Sequence, residues 1–306
     1  MPYIHFTDQQ KEQAAEVDLA AFLESRGEKL IRSGRDMRLE RDHSVTIRGN
    51  TWFDHAAQKG GGPISFVRQF YDMDYPSAVS LLIGGGGVIY PKAKERVQEP
   101  PKDFVLPPAN GDARRVFAYL VKHRKIAPEV VSHFVRAGLL YEDAEYHNAV
   151  FVGTDEQGAP RHAHKRSTNS FGKAFRLNVE GCSPQYSFHY LGGDGSLFAF
   201  EAPIDMLSYI TLYPERWREH NYVACCGTSF IPVEKMLDRI SQVEEVFLCL
   251  DNDVAGHTAS KRMADLLTEK GLFCQRLTPS EKDWNEVLTA MDTQKKEVEL
   301  CQTLRC

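Results

Sequence analysis

The chain has 306 residues, of which 42% are hydrophobic, and a formal net charge of −5. This length favours about two domains, and the hydrophobic content is sufficient for real cores. The acidic balance excludes a protein whose whole surface binds nucleic acid through positive charge, so any basic surface has to be local. No apolar run approaches about 18 residues and the first residues, MPYIHFTDQQKEQ, are polar. We therefore expect a soluble, cytoplasmic protein without a membrane partner.

Residues 1–85 are predicted to form one compact unit. DLAAFLESRG has helical periodicity, RLERDHSVTIRGNTWFD is typical of a small hairpin, and PISFVRQFYDMDYPSAVSLLIGG indicates two helices. The next stretch, GGGGVIYPKAKERVQEPPKDFVLPPANGD, is rich in glycine, proline and charge. Its composition predicts a linker over residues 86–110.

Residues 111–195 are predicted to form a mixed α+β subdomain. Two helical stretches, ARRVFAYLVKHRKI and APEVVSHFVRAGLL, precede a hairpin whose polar turn lies at Asp155–Gly158. No acid occurs between Glu156 and Glu180, whereas five cations do: Arg161, Lys165, Arg166, Lys173 and Arg176. Such a stripe on a hairpin fits a nucleic-acid-binding surface that follows phosphates. The alternative is an ordinary solvated strand face.

Residues 196–291 alternate apolar strands with helices. The strands are LFAFE, YVACC, VFLCL and FCQRL, and the helices include IDMLSYITL, VEKMLDRIS and AGHTASKRMADLLTEKG. This alternation predicts an α/β domain, a parallel sheet with helices on both faces, in a chain that is α+β overall. Residues 292–306 are left as a tail.

Acidic residues follow three of these strands. Glu201 ends the first strand and Asp205 lies four residues on, Asp251 and Asp253 follow the third strand, and Asp283 begins a later helix. Because the carboxyl ends of neighbouring parallel strands share one edge, these side chains are expected to converge. Clustered carboxylates favour a hard cation, and Mg²⁺ suits them in phosphoryl-transfer chemistry. The alternative for each is structural: a first-turn charge pair at Glu201 and Asp205, and helix caps at Asp253 and Asp283.

Glu201 with Asp205, the glycine turn CCGTS and LDNDVAG together resemble the Toprim domain, which occurs in DnaG-type primases, topoisomerases and some nucleases. The resemblance covers about residues 196–291. Within that superfamily the chain looks most like the primases, since RVFAYLVKHRKIAPEVVSHFVRAGLLY and the hairpin ending at Arg166 resemble their polymerase core. Residues 1–85 resemble the zinc-binding domain of primases, and the same order is similar to proteins of mobile elements.

The chain departs from the primase pattern at several positions. All seven cysteines lie at or beyond Cys182 without C-x-x-C spacing, so zinc is not expected, although His43 and His55 remain possible ligands. The N-terminal unit is instead expected to pack around Trp52, Phe53, Phe66 and Phe70. Ala202 replaces a glycine of the first Toprim motif, and Asn285 stands where primases often have a second aspartate.

The resemblance implies a chemistry for these residues. Glu201 is implied as metal ligand or general acid/base, and Asp251 and Asp253 as ligands of Mg²⁺ or Mn²⁺ assisted by Asp205 and Asp283. Its leading implication is a primase-like nucleotidyltransferase in DNA replication, acting on single-stranded DNA with nucleotides, with replication or conjugation proteins as possible partners. The alternatives are a Toprim-type nuclease and a non-catalytic DNA-binding accessory protein of a mobile element.

Overall fold

The computed structural model describes residues 6–34, 36–55, 59–84, 90–93, 103–169 and 174–303, with side chains up to residue 294. The chain divides into two compact units, Met1–Glu99 and Pro100–Cys306. Most of the predicted linker and Lys173 lie outside the described residues. Within those ranges no helix is both long and apolar enough to cross a membrane.

The first unit is a five-stranded antiparallel sheet covered by helices. The strands follow in chain order across the sheet. The elements are α1 (Asp8–Ala15), α2 (Leu19–Ser25), β1 (Leu30–Ser33), β2 (Asp36–Leu39), β3 (Val45–Arg48), β4 (Thr51–Asp54), β5 (Lys59–Gly61), α3 (Pro63–Phe70) and α4 (Tyr75–Leu82). The predicted hairpin and pair of helices are therefore present, within a larger sheet than the sequence indicates.

The core of this unit contains three of the four aromatic residues expected there. Trp52 is buried with its ring 5.8 Å from Phe66 and 5.2 Å from Phe70. The expectation for Phe53 is wrong, because side chains alternate along β4 and Phe53 is 37% exposed. Asp54 points inward on the same strand, where one carboxylate oxygen accepts the Ser44 hydroxyl at 2.9 Å.

The second unit begins with helices and a four-stranded antiparallel sheet, in the order β6-β7-β8-β9. Its β7–β8 hairpin turns at the predicted residues, where Asp155 accepts backbone N–H groups of Gln157 and Ala159. The elements are α5 (Arg114–Ala118), a π-helical turn (Tyr119–His123), α6 (Pro128–Arg136), β6 (Leu140–Glu142), β7 (Ala149–Thr154), β8 (Pro160–Arg166) and β9 (Arg176–Asn178). The short edge strand β9 has no clear sequence signal.

The C-terminal part is the expected α/β sheet, in the order β10-β12-β11-β13-β14. Four strands are parallel, and the two-residue edge strand β10 is antiparallel. The elements are β10 (His189–Tyr190), β11 (Ser196–Phe200), α7 (Pro203–Leu212), β12 (Asn221–Ala224), α8 (Ile231–Arg239), β13 (Glu245–Leu248), α9 (Val254–Glu269), β14 (Cys274–Arg276) and α10 (Trp284–Thr303).

Both faces of this sheet are buried by helices. Phe198 and Phe200 pack into a core with α7 and the start of α10, whereas Leu197 and Ala199 pack into a second core with α8 and α9. Burial on both faces explains why the strands appear in the sequence as continuous apolar runs. Because β11 and β13 pair in parallel, with Ala199 opposite Leu248, the carboxyl ends of these two strands lie side by side.

Candidate active site

Five carboxylates line one cavity of about 260 Å³ at the carboxyl end of the C-terminal sheet. Glu201 follows β11, Asp205 lies in the first turn of α7, Asp251 and Asp253 follow β13, and Asp283 precedes α10. The structure therefore brings together all five acids that the sequence selects. We call them the acidic wall.

Three members of the acidic wall are almost inaccessible to solvent: Glu201 is 7% exposed, Asp205 6% and Asp251 7%. Burial, followed by the charges of neighbouring acids, raises the pKa of Asp251 from 3.8 to about 7. Burial and nearby Asp283 likewise raise the pKa of Asp205 well above its usual value. Burial also raises the pKa of Glu201, while Arg176 opposes that shift. Full ionisation of this wall is therefore unfavourable, and a neighbouring positive charge would stabilise it.

Two carboxylate oxygens are left without a partner. Glu201 Oε2 and Asp251 Oδ1 are buried and make no hydrogen bond within the described residues. The second oxygen of Glu201, Oε1, lies 3.5 Å from Nη2 of Arg176. Buried polar atoms without partners are costly, and oxygen donors of this kind are the ligands that a hard cation prefers.

A ready-made metal cluster is not what these acids form. In the described part of the chain no three His, Cys, Asp or Glu side chains are close enough to hold an ion between them. Mg²⁺ does not need such a cage, because it usually keeps several waters and binds through one or two carboxylates together with substrate phosphates. The donor set of the acidic wall therefore fits Mg²⁺ or Mn²⁺, with Glu201 and Asp251 supplying the free oxygens.

Asp253 and Asp283 also have a structural role. Asp253 caps α9 by accepting the backbone N–H of Gly256 at 2.9 Å, and Asp283 accepts that of Glu286 at 2.7 Å at the start of α10. The capping alternative and the shared-site alternative are thus both compatible with these two residues, since each cap occupies a single carboxylate oxygen.

Cations complete the lining of the cavity, and we call Arg124, Arg166 and Arg176 the basic wall. The hydroxyl of Tyr119 accepts Nε of Arg124 at 2.9 Å and Nε of Arg166 at 3.4 Å. Neither of these two arginines forms an ion pair with a carboxylate in the portion of the chain described. Two like charges that share a neutral acceptor repel each other, so this wall favours an anion.

The predicted basic stripe is divided between two faces of its sheet. Arg166 and Arg176 line the cavity. On the other face, Arg161 donates to Asp155 at 2.7 Å and Nζ of Lys165 lies 2.9 Å from buried Asp143. Side chains two residues apart on a strand share a face, which explains the division.

Two family models match the second unit. Residues 118–195 match the family described as "Protein of unknown function (DUF3991)", and residues 198–288 match the Toprim-like family. The C-terminal sheet is a Toprim-like domain. All five members of the acidic wall lie within its matched residues.

Two relatives and two solved structures match different shares of the chain. The uncharacterized protein pXO2-78 of Bacillus anthracis is 28% identical over 282 residues, covering 87% of this chain and 81% of that protein. The uncharacterized protein MG010 of Mycoplasma genitalium is 24% identical over 96 residues, covering 31% and 42%. The primase fragment of the bacteriophage T7 primase-helicase covers 84% of this chain and 92% of its own at 15% identity, with a TM-score of 0.47. The Aquifex aeolicus primase fragment covers 95% and 84% at 16% identity, with a TM-score of 0.38.

Gly256 and Ala202 are small residues next to the acids of the Toprim-like domain, and only the first is required by packing. A Cβ on Gly256 would lie 2.1 Å from the carbonyl oxygen of Asp251, so only glycine lets α9 approach the end of β13 this closely. Ala202, in place of the family glycine, has φ −133° and ψ 155°, which alanine adopts without strain. Glycine at the last position of LDNDVAG is therefore required by packing, whereas alanine at position 202 causes no backbone strain.

Asn285 of the Toprim-like domain is a buried clamp. Its Nδ2 donates to the Arg124 carbonyl at 2.7 Å and to the Ser208 hydroxyl at 2.9 Å, while its Oδ1 accepts Nη1 of Arg124 at 3.0 Å. Its backbone N–H donates to Asp205 at 3.3 Å. An aspartate at this position could only accept hydrogen bonds, so it could not donate to the Arg124 carbonyl and the Ser208 hydroxyl. Asn285 therefore connects Arg124 of the basic wall to Asp205 of the acidic wall, and the site has one carboxylate fewer.

Four polar lining residues were not among the site residues selected from the sequence: Arg124, His164, Lys282 and Asn285. His164 had a detectable signal, because alternation in HAHKR places it on the same face of β8 as Arg166. Arg124 had none, because its place depends on the tertiary contact with Asn285.

Proposed function

We propose that the protein catalyses Mg²⁺- or Mn²⁺-dependent nucleotidyl transfer on nucleic acid, in the manner of a DNA primase acting on single-stranded DNA with nucleotides. One observation carries the proposal: a single cavity joins Glu201 and Asp251, each with a buried oxygen that lacks a hydrogen-bond partner in the described residues, to Arg124 and Arg166, which form no ion pair there. A phosphate chain with its metal ion complements both halves at once.

The acidic wall supplies the metal ligands in this proposal. Glu201 and Asp251 hold the ion through the oxygens that lack protein partners, and Asp205, Asp253 and Asp283 assist directly or through water. When bound, the ion neutralises charge on the attacking and leaving oxygens of a phosphoryl group. Glu201 is the residue nearest the reacting atoms, as ligand or as the group that accepts a proton.

The basic wall binds the phosphates. Arg124 and Arg166 present guanidinium groups beside the Tyr119 hydroxyl, and planar guanidinium forks suit bidentate contacts with phosphate oxygens. Arg176 is the member of the basic wall that contacts the acidic wall, since its Nη2 lies 3.5 Å from Oε1 of Glu201. We assign it to the phosphate of the nucleic acid or nucleotide. Lys282, exposed at the rim, adds a further positive charge.

Incorporation of labelled nucleotides on single-stranded DNA tests this proposal. Metal-dependent products from the wild type, and none from Asp251→Asn, are the expected result. Metal-dependent shortening of the DNA would instead identify a Toprim-type nuclease.

A non-catalytic accessory protein is the second candidate function. It is favoured by Asn285, which replaces a possible acid, and by the lack of a preformed metal cluster among the described side chains. This candidate predicts that single-stranded DNA binds and stays unchanged with either Mg²⁺ or Mn²⁺ present. Retention of DNA in a gel-shift assay, together with an inert incorporation assay, would establish it.

A further inference from the structure

Arg276, the last residue of β14, is a cation placed underneath the acidic wall. Its Nη2 donates to the carbonyl oxygen of Asp251 at 2.8 Å, and its Nη1 donates to that of Leu248 at 3.2 Å. Its Nε is buried and has no hydrogen-bond partner within the described ranges. The guanidinium therefore binds the backbone at the last residue of β13 and at Asp251, the first aspartate of the LDND sequence.

This arrangement is unusual for an arginine. Burial lowers the pKa of Arg276, and the charges of Asp251, Asp253 and Glu201 only partly offset that cost. No carboxylate of the described chain lies within ion-pair distance of it. Arg276 is half-buried and binds carbonyl oxygens instead of an acid, so the cost of desolvating its charge is only partly compensated.

The backbone determines where the Asp251 carboxylate lies. Because Asp251 Oδ1 has no hydrogen-bond partner in the described residues, that oxygen is not fixed by a neighbouring side chain. The carbonyl group of the same residue, by contrast, is enclosed between Gly256 and Arg276. The next residue, Asn252, is held through its N–H to the Lys282 carbonyl at 2.7 Å. Contacts to the main chain thus orient this carboxylate.

We propose that Arg276 is a positioning residue of the metal site, which fixes Asp251 by binding the carbonyl oxygens of Leu248 and Asp251 with its two terminal nitrogens. This inference rests on the proposed function, because it concerns the same cation. A lysine keeps the charge but loses the planar two-pronged grip, so the proposal assigns the effect to geometry.

The test is a Mg²⁺ titration of the full chain in which the thermal unfolding midpoint is measured at each Mg²⁺ concentration. Arg276→Lys is expected to raise the Mg²⁺ concentration for half-maximal stabilisation on the order of tenfold, the range found when groups that orient metal ligands are removed. The matched control is Arg239→Lys, because Arg239 also binds a carbonyl oxygen, that of Thr154 at 3.1 Å, but lies outside the cavity. Its midpoint should equal that of the wild type.

Hydrogen exchange without metal supplies a second measurement. Arg276→Lys should accelerate exchange at residues 249–253 and leave Ser196–Phe200 unchanged. An unchanged Mg²⁺ midpoint in Arg276→Lys, or an equal rise in Arg239→Lys, would overturn the inference, as would unchanged exchange.

If Arg276→Lys does not fold, Arg276→Gln replaces it, since its amide keeps N–H donors for one carbonyl. If the wild type itself shows no Mg²⁺-dependent stabilisation, the proposed metal site fails, and this outcome is distinct from failure of the positioning role alone.

Discussion

The acidic wall and the basic wall of the cavity are built in different ways. The acids come from the ends of adjacent parallel strands and the helix starts beside them, within one Toprim-like domain. Of the arginines, Arg124 directly follows the π-helical turn and the other two lie on strands of the preceding domain, and a buried asparagine connects Arg124 to the first wall. The acidic wall is a property of the sheet topology, whereas the basic wall depends on packing between two matched domains.

Glu201→Gln should have the largest effect on activity. We expect nucleotide incorporation to fall roughly a hundredfold or more, because the proposed metal ion loses a charged ligand. This factor corresponds to about 3 kcal/mol of transition-state stabilisation. The matched control is Glu219→Gln, an exposed glutamate that pairs with Arg216. Activity of Glu201→Gln within a factor of two of the control would remove the acidic wall from the chemistry.

Arg166→Gln and Arg161→Gln separate the two faces of the β7–β8 sheet. Arg166 lines the cavity and Arg161 pairs with Asp155 on the other face. Arg166→Gln should weaken single-stranded DNA binding about tenfold. It should also reduce the slope of log affinity against log salt concentration by about one, the value for one lost phosphate contact, whereas Arg161→Gln should change binding little. Fluorescence anisotropy over a salt series measures both quantities. Equal losses in the two variants would support a continuous basic stripe instead of a basic wall.

Asp251→Asn should stabilise the metal-free protein although it weakens the metal site. The substitution removes one of several carboxylate charges in the same cavity; burial, followed by the repulsion of neighbouring acids, raises the pKa of Asp251 to about 7. We expect the unfolding midpoint in a chelating buffer at pH 8 to rise by roughly 2–4 °C, the shift that about 1 kcal/mol produces in a domain of this size. A lower midpoint than the wild type would show that these carboxylates are not under electrostatic strain.

Lys125→Gly should have the smallest effect, and it concerns the basic wall. Lys125 follows Arg124 and has φ +61°, a left-handed conformation that disfavours residues other than glycine. Glycine relieves this strain but increases the entropy of the unfolded chain, so we expect a gain between zero and about 1 kcal/mol. Chemical denaturation measures it. A clear loss would mean that the contact of Lys125 with Asp292 at 3.6 Å outweighs the strain.

The sequence predicts the acidic wall much better than the basic wall. The apolar runs that end in Glu201 and Asp251 indicate parallel strands, and the carboxyl ends of such strands meet at one edge of the sheet. The convergence of these carboxylates therefore follows from the sheet topology. The positions of Arg161 and Lys165 were not resolved by charge alone, because strand alternation sends them away from Arg166. Arg124 and Asn285 meet only in the folded chain, and Phe53 was placed in the core by its aromatic character although β4 turns it outward.

We propose that one cavity holds a divalent cation and a phosphate group together. The most direct measurement is a crystal structure of the protein with Mn²⁺ and a nucleoside triphosphate, in which anomalous scattering locates the metal. We expect a Mn²⁺ peak about 2.0–2.3 Å from carboxylate oxygens of Glu201 and Asp251, with phosphate oxygens at Arg124 and Arg166. No anomalous peak in this cavity at saturating Mn²⁺, or a triphosphate bound away from both walls, would contradict it.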